Sequence, residues 1–137
     1  MKILINSIIL IIAIILGMII NMLIVKYGVV MISNPLGYDN SSMETMQNTF
    51  HLLQPKHFIT PWLAHAFGTF ISALFVFNFT KSNPFYLAIV VCATFLIGGT
   101  IMVVSLPSPL WFTILDLGLA YLPMAWLVRR YFNFRKI

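Results

Sequence analysis

The sequence has 137 residues, of which 61% are hydrophobic and only 8% are charged. A water-soluble domain carries roughly 25% charged residues, so this composition excludes a soluble globular protein. The net charge of +5 sits at chain ends and loops and forms no basic stripe with interleaved aromatic residues, so no nucleic-acid partner is expected. The length allows one transmembrane domain over residues 1–137.

Apolar residues occur in four blocks that are each long enough to cross a bilayer. A hydrocarbon core of about 30 Å needs roughly 20 residues of apolar helix, and we predict spans at 3–25, 58–79, 84–106 and 109–128. The last two links are only a few residues long, which makes sequential helices antiparallel neighbours. The predicted fold is therefore an all-α, integral membrane, antiparallel four-helix bundle in contact with the lipid bilayer.

Prolines indicate where several of these helices begin or bend. Thr60-Pro61, Asn83-Pro84 and Ser108-Pro109 each place a capping residue before a proline at the first helical position. Pro123 lies inside the fourth span, where it removes a backbone hydrogen bond and predicts a kink.

The link between the first two spans is the only long one, and its pattern predicts a helix of its own. Ser41 and Glu44 have the spacing of a capping box. Four apolar residues then recur at helical spacing: Met43, Met46, Phe50 and Leu53. We expect a short amphipathic helix here, lying on the membrane surface.

Lysine and arginine are distributed unequally between the two ends of the predicted spans, which indicates orientation. With both termini on the cytoplasmic side, only Lys26 and Lys56 face outward. The inner side then holds six basic residues: Lys2, Lys81, Arg129, Arg130, Arg135 and Lys136. The bias predicts cytoplasmic N- and C-termini.

Asp116 is the only acidic residue inside a predicted span. A charged aspartate at the centre of a lone membrane helix costs about 2.5–3.5 kcal/mol, so we expect Asp116 to face the bundle and to have a partner. His65 enters from the same side at a similar depth, and Asn21 and Thr100 approach that level from the first and third spans. The sequence thus predicts one ligand or ion candidate cluster: His65, Asp116, Asn21 and Thr100.

Two interpretations of this cluster remain open. A buried histidine–aspartate hydrogen bond can simply fix how the helices are aligned. Intramembrane ionisable residues are also candidates for a proton, cation or ligand site. One histidine and one aspartate match no metal-ligand spacing, no nucleophile completes a catalytic constellation, and we expect no cofactor.

Several segments resemble an uncharacterised family of small bacterial four-span integral membrane proteins. The resemblance rests on an LAHALGT-like second span at 62–70 and a PSPTWF…LDL…YxPM-like fourth span at 107–124, together with Gly98-Gly99. It covers 60–127, is weak in the first span and the long loop, and ends where 128–130 replace a glycine-rich terminus. It implies a four-span fold in a bacterial inner membrane, points to His65 and Asp116, and implies no activity.

Three functions are compatible with these features. The first is an accessory, assembly or self-associating subunit, which would use a face of small residues left exposed after the bundle closes. The second is a small oligomeric transporter or channel, which requires a hydrated cavity that reaches His65 and Asp116. The third is a membrane-embedded enzyme acting on a lipid or quinone, which requires an apolar pocket beside His65.

Overall fold

The computed structural model describes residues 1–80 and 82–134. Four helical segments in it are long and apolar enough to cross a membrane: Lys2–Met31, Pro55–Phe79, Pro84–Ser105 and Leu110–Phe134. They pack together as an antiparallel bundle, so the predicted fold class is confirmed. The chain is a small polytopic membrane protein.

The spans and the long loop together contain six α-helices. Their bounds are α1 Lys2–Met31, α2 Met43–Thr49, α3 Ile59–Phe79, α4 Pro84–Ser105, α5 Leu110–Leu119 and α6 Leu122–Phe134. Short 3₁₀ helices at Phe50–Leu52 and Pro55–Phe58 join α2 to α3. The four predicted spans therefore lie close to the observed ones, and the largest extensions are at the ends of α1 and α6.

Helix α3 is the centre of the bundle, and α1 packs almost entirely on it. The contact is close because small residues face one another. The Ser72 hydroxyl donates to the Ala13 carbonyl oxygen at 2.7 Å, and a Cβ on Gly17 would lie 2.7 Å from the Gly68 carbonyl oxygen. Such faces let the backbones of membrane helices approach. The rest of α1 is largely exposed and apolar, as expected for a helix surrounded by lipid.

The half of the bundle that contains the N-terminus is filled by a packed apolar core. Its buried members come from α1, α3, α4 and α6: Ala13, Ala73, Val76, Ala88, Val91, Cys92, Ala125 and Val128. Close packing of this kind leaves little room for water between the helices.

The fourth span is broken, as the proline in it predicts. Helix α5 ends at Leu119 and α6 begins at Leu122, with Ala120 and Tyr121 between them. Pro123 cannot donate a backbone hydrogen bond, and its ring clashes with the carbonyl four residues earlier. The Met124 N–H bonds instead to the Tyr121 carbonyl oxygen, at 3.0 Å.

The predicted helix in the long loop is present, but its cap lies one residue later than expected. Ser42, not Ser41, is the N-cap, and Thr45, not Glu44, completes the capping box. The Asp39 carboxylate accepts from the Ser41 backbone N–H at 2.8 Å. That bond holds Ser41 in the preceding turn, so the helix begins at Met43.

The apolar side of this loop helix is turned onto the bundle. Phe50 is buried against Phe58 and Phe112, with Met46 and Leu53 packed beside them. The Gln47 side-chain N–H donates to the Ser105 carbonyl oxygen at 2.6 Å. The loop therefore covers one end of the bundle, which we call the loop end.

The proline-based prediction of helix starts is right in position at one site and wrong at two. Pro84 occupies the first turn of α4 after the N-cap Asn83, although the Asn83 side chain makes no cap hydrogen bond. Thr60 is not a cap, because the 3₁₀ helix Pro55–Phe58 continues directly into α3. Ser108 is not a cap either, since Pro109 holds that position in α5 without a side-chain hydrogen bond.

The antiparallel arrangement places Lys26 and Lys56 at the loop end and Lys2, Arg129 and Arg130 at the opposite end. The other basic residues used for orientation, Lys81, Arg135 and Lys136, lie outside the described residues. The orientation of the bundle in the cell stays a prediction.

Candidate functional site

His65 and Asp116 meet in the half of the bundle next to the loop end. Each lies about 9 Å along its helix from the first residue, at 1.5 Å rise per residue. The Nδ1 atom of His65 is 2.8 Å from Oδ1 of Asp116, and Asp116 is only 1% exposed. Because a carboxylate accepts, Nδ1–H of His65 is the donor.

Tyr121 joins this pair, although sequence reasoning did not place it there. Its hydroxyl donates to Oδ2 of Asp116 at 3.1 Å, and its ring stacks on the His65 imidazole with centroids 5.7 Å apart. A Cβ on Gly99 would lie 2.6 Å from Cζ of Tyr121, so α4 offers a glycine where the ring needs space. Both carboxylate oxygens of Asp116 are therefore hydrogen-bonded.

The other two members of the predicted cluster are placed differently. The exposed hydroxyl of Thr100 donates to the Leu96 carbonyl oxygen of its own helix at 2.8 Å, because Gly99 occupies the inward position on α4. Asn21 packs beside Gly68. Within residues 1–80 and 82–134, the Asn21 carboxamide has no hydrogen-bond partner, and the site consists of His65, Asp116 and Tyr121 with Asn21 nearby.

A cavity of about 470 Å³ extends from this site to the loop end. Residues of α1, α3, α4, α5 and the covering loop line it, and most of them are apolar. Its polar lining includes Asn21, His57, His65 and Asp116. The volume lies within the range of small-molecule sites in proteins. We call this space the loop-end cavity.

The side chain of His65 lines the loop-end cavity. Its side chain is 21% exposed, and no side chain or backbone group among residues 1–80 and 82–134 hydrogen-bonds to Nε2. In a neutral imidazole that donates through Nδ1, Nε2 is an acceptor. The Asp116 carboxylate fixes this tautomer and the orientation of the ring.

The arrangement can bind and orient a polar group, because a held imidazole and a nearby carboxamide face one apolar space. In the described part of the chain, no group of three or more His, Cys, Asp or Glu side chains is placed to hold a metal ion. The Thr69 hydroxyl donates to the backbone carbonyl oxygen of His65 at 2.7 Å. No serine or threonine hydroxyl and no cysteine thiol among those residues hydrogen-bonds to the His65 ring, which leaves the imidazole without a nucleophile to activate.

Comparisons with known proteins add no assignment: no family model, no curated protein and no solved structure matches the chain. The resemblance noted in the sequence is therefore supported only in its coarse form, a small protein with four membrane spans.

Proposed function

We propose that this protein is a membrane-embedded binding protein that holds a small ligand in the loop-end cavity. The observation that carries the proposal is the His65 imidazole, which is held by Asp116, lines a cavity of about 470 Å³ and has no hydrogen-bond partner at Nε2 among the described residues. A buried pair that served only to align helices would have no need of an adjoining space.

Binding is favoured over conduction because the loop-end cavity ends at the polar site. Beyond Tyr121, the apolar core of the opposite half fills the bundle with side chains that include Val76, Val91 and Val128, all fully buried. A transporter or channel needs a polar route through that half of the bundle, and the closed packing of the described residues there offers none.

Binding is also favoured over catalysis. The sequence-based hypothesis of an enzyme acting on a lipid or quinone requires a pocket beside His65, and the loop-end cavity meets that requirement. It also requires a second reacting group, and no nucleophile or second carboxylate lies within hydrogen-bond distance of Nε2 in the described residues.

Filling the loop-end cavity tests the proposal. Val103 lines it, whereas its neighbour Val104 is 81% exposed on the lipid side of α4. Native mass spectrometry of protein released from lipid nanodiscs should show a small-molecule adduct on the wild type and on Val104→Trp. The adduct should be lost from Val103→Trp. Equal adduct occupancy in both variants, or no adduct on the wild type, contradicts the proposal.

We propose self-association as a second function, because a small-residue face remains exposed on α4. A Cβ on Gly98 would meet no atom within 4 Å, and Thr94 one turn earlier is exposed. Small residues of this kind let helices of two copies approach. Single-molecule photobleaching in vesicles should show fewer dimers for Gly98→Leu than for Gly118→Leu, a second glycine in open space. Equal dimer fractions contradict this role.

A further inference from the structure

Residues of α1 and α4 form one side of the loop-end cavity. On the side of the cavity away from the loop end, Phe95 of α4 packs against Gly17 of α1. Its Cζ lies 2.6 Å from a Cβ built on Gly17. Nearer the loop end, Val25 and Val29 of α1 and Met102 of α4 line the cavity. These three are also 37–40% exposed, as expected for residues that border both the cavity and the surrounding lipid.

The lining offers little to an ionic ligand, because its charged or readily protonated side chains among the described residues are only Asp116, His57 and His65. No lysine or arginine is among the described residues that line the loop-end cavity. Its one carboxylate, Asp116, already accepts from His65 and Tyr121. Moving a phosphate, carboxylate or ammonium group out of water into such a space costs far more than moving an uncharged group. The chemistry of the lining selects an uncharged ligand.

The hydrogen-bonding groups define which uncharged group fits. In a neutral His65 that donates through Nδ1 to Asp116, Nε2 is an acceptor, so the ligand of this form must supply a donor. The Asn21 carboxamide offers both a donor and an acceptor. A hydroxyl donates one hydrogen bond and accepts others, and therefore suits both residues, whereas an ether or ester lacks the donor that His65 needs.

We propose that the loop-end cavity binds an uncharged amphiphile from the bilayer, with its hydroxyl donating to Nε2 of His65 and its apolar body lying between α1 and α4. The ligand class is thus a long-chain or polycyclic alcohol or a phenol. This inference rests on the proposed binding function and adds to it the head group and the route of entry.

Three photoreactive probes test the head group. They are hexadecanol carrying a mid-chain diazirine, the methyl ether of that alcohol, and the corresponding hexadecanoic acid, each added to the protein in phosphatidylcholine nanodiscs. After irradiation, peptide mass spectrometry should locate the label on residues 25–32 and 99–106. Labelling by the alcohol should exceed labelling by the ether about tenfold, as expected for the loss of one hydrogen bond at Nε2, and should also exceed labelling by the acid.

Variants assign the outcome to one proposal or the other. Val103→Trp should remove labelling of the cavity by all three probes, and Val104→Trp should leave it unchanged. His65→Leu should bring the alcohol and the ether to the same level. Since the alcohol and the ether are also compared on the wild type, the test does not depend on folding of the His65 variant.

Each contrary result has a definite meaning. Equal labelling by the alcohol and the ether on the wild type overturns recognition of a hydroxyl and leaves binding in the cavity standing. Stronger labelling by the acid overturns the requirement for an uncharged ligand. Label confined to residues 34–53 overturns entry from the bilayer. Labelling that survives Val103→Trp overturns this inference and the proposed binding function together.

Discussion

Removing His65 should destabilise the protein more than removing its partner Asp116, and removing both should restore part of the loss. His65→Leu leaves a carboxylate that is 1% exposed with a single hydrogen bond, from Tyr121. Breaking a buried pair in this way costs about 3–5 kcal/mol. Asp116→Leu instead leaves an imidazole that is 21% exposed to the cavity and can bond to water there.

The magnitudes follow from which groups lose their partners. Asp116→Leu leaves the buried Tyr121 hydroxyl without an acceptor, which costs about 1–3 kcal/mol. His65 loses the same partner, but its exposed ring can still bond to water. In the double variant His65→Leu/Asp116→Leu, only the Tyr121 hydroxyl loses its partner, because apolar side chains replace both members of the pair. We expect it to be roughly 1–3 kcal/mol more stable than His65→Leu.

Steric trapping in lipid bicelles can measure these free energies of unfolding directly. The predicted order of stability is wild type, then Asp116→Leu and the double variant, and then His65→Leu. Tyr121→Phe in the double background is the matched control, since it removes the stranded hydroxyl and should recover stability. A double variant that is less stable than His65→Leu would refute the reasoning, because an unpaired Asp116 carboxylate would then not destabilise the folded protein.

Two further predictions concern helix packing and the loop. Gly17→Leu should lower the melting temperature in detergent, whereas Gly118→Leu should change it little. A Cβ on Gly17 would meet the Gly68 backbone, and overpacking of this kind costs about 1–3 kcal/mol or more. Equal melting temperatures for the two variants would contradict the close contact. Hydrogen bonds from the Ser41 backbone and side chain lower the pKa of the exposed Asp39 carboxyl. The turn they stabilise should therefore be intact above the ordinary aspartate pKa and lost as pH falls through the lowered value, which amide NMR shifts of Ser41 would follow; shifts centred on the ordinary aspartate pKa would contradict it.

Sequence reasoning reaches the pairing of His65 with Asp116 because depth and polarity are both readable from hydropathy. A carboxylate in hydrocarbon must turn inward, and counting residues from the span ends brings an imidazole to the same height. The partner could be predicted because the two spans begin on the same side and each group sits in the same helical turn of its span.

Tyr121 could not be found in this way, because it lies five residues after Asp116. On a continuous helix that spacing rotates a side chain by about 140° away from the starting face. Only the break at Ala120 and Tyr121 turns the phenol back to the carboxylate. Pro123 signals the break, but not the direction in which the chain continues.

The placement of Thr100 and of the loop helix shows two other limits. Thr100 and Gly99 differ by about 100° around α4, and the choice between them is made by the bulk of the Tyr121 ring. The loop helix has an apolar face that suits either lipid or protein. Phe50 packs against Phe58 and Phe112, so the apolar face lies on the bundle. Contacts between residues this far apart in the chain cannot be predicted from the local sequence pattern.

The central claim is that the Asp116 carboxylate holds the His65 ring through Nδ1 and leaves Nε2 facing the cavity. Solid-state NMR in lipid bilayers can measure the dipolar coupling between ¹⁵N at Nδ1 of His65 and ¹³C at Cγ of Asp116. The structure predicts a strong coupling, with a separation set by the 2.8 Å hydrogen bond, and an Nε2 shift that changes when the hydroxyl-bearing probe is added. No coupling between the two side chains, or an Nε2 shift that the probe leaves unchanged, would contradict the account.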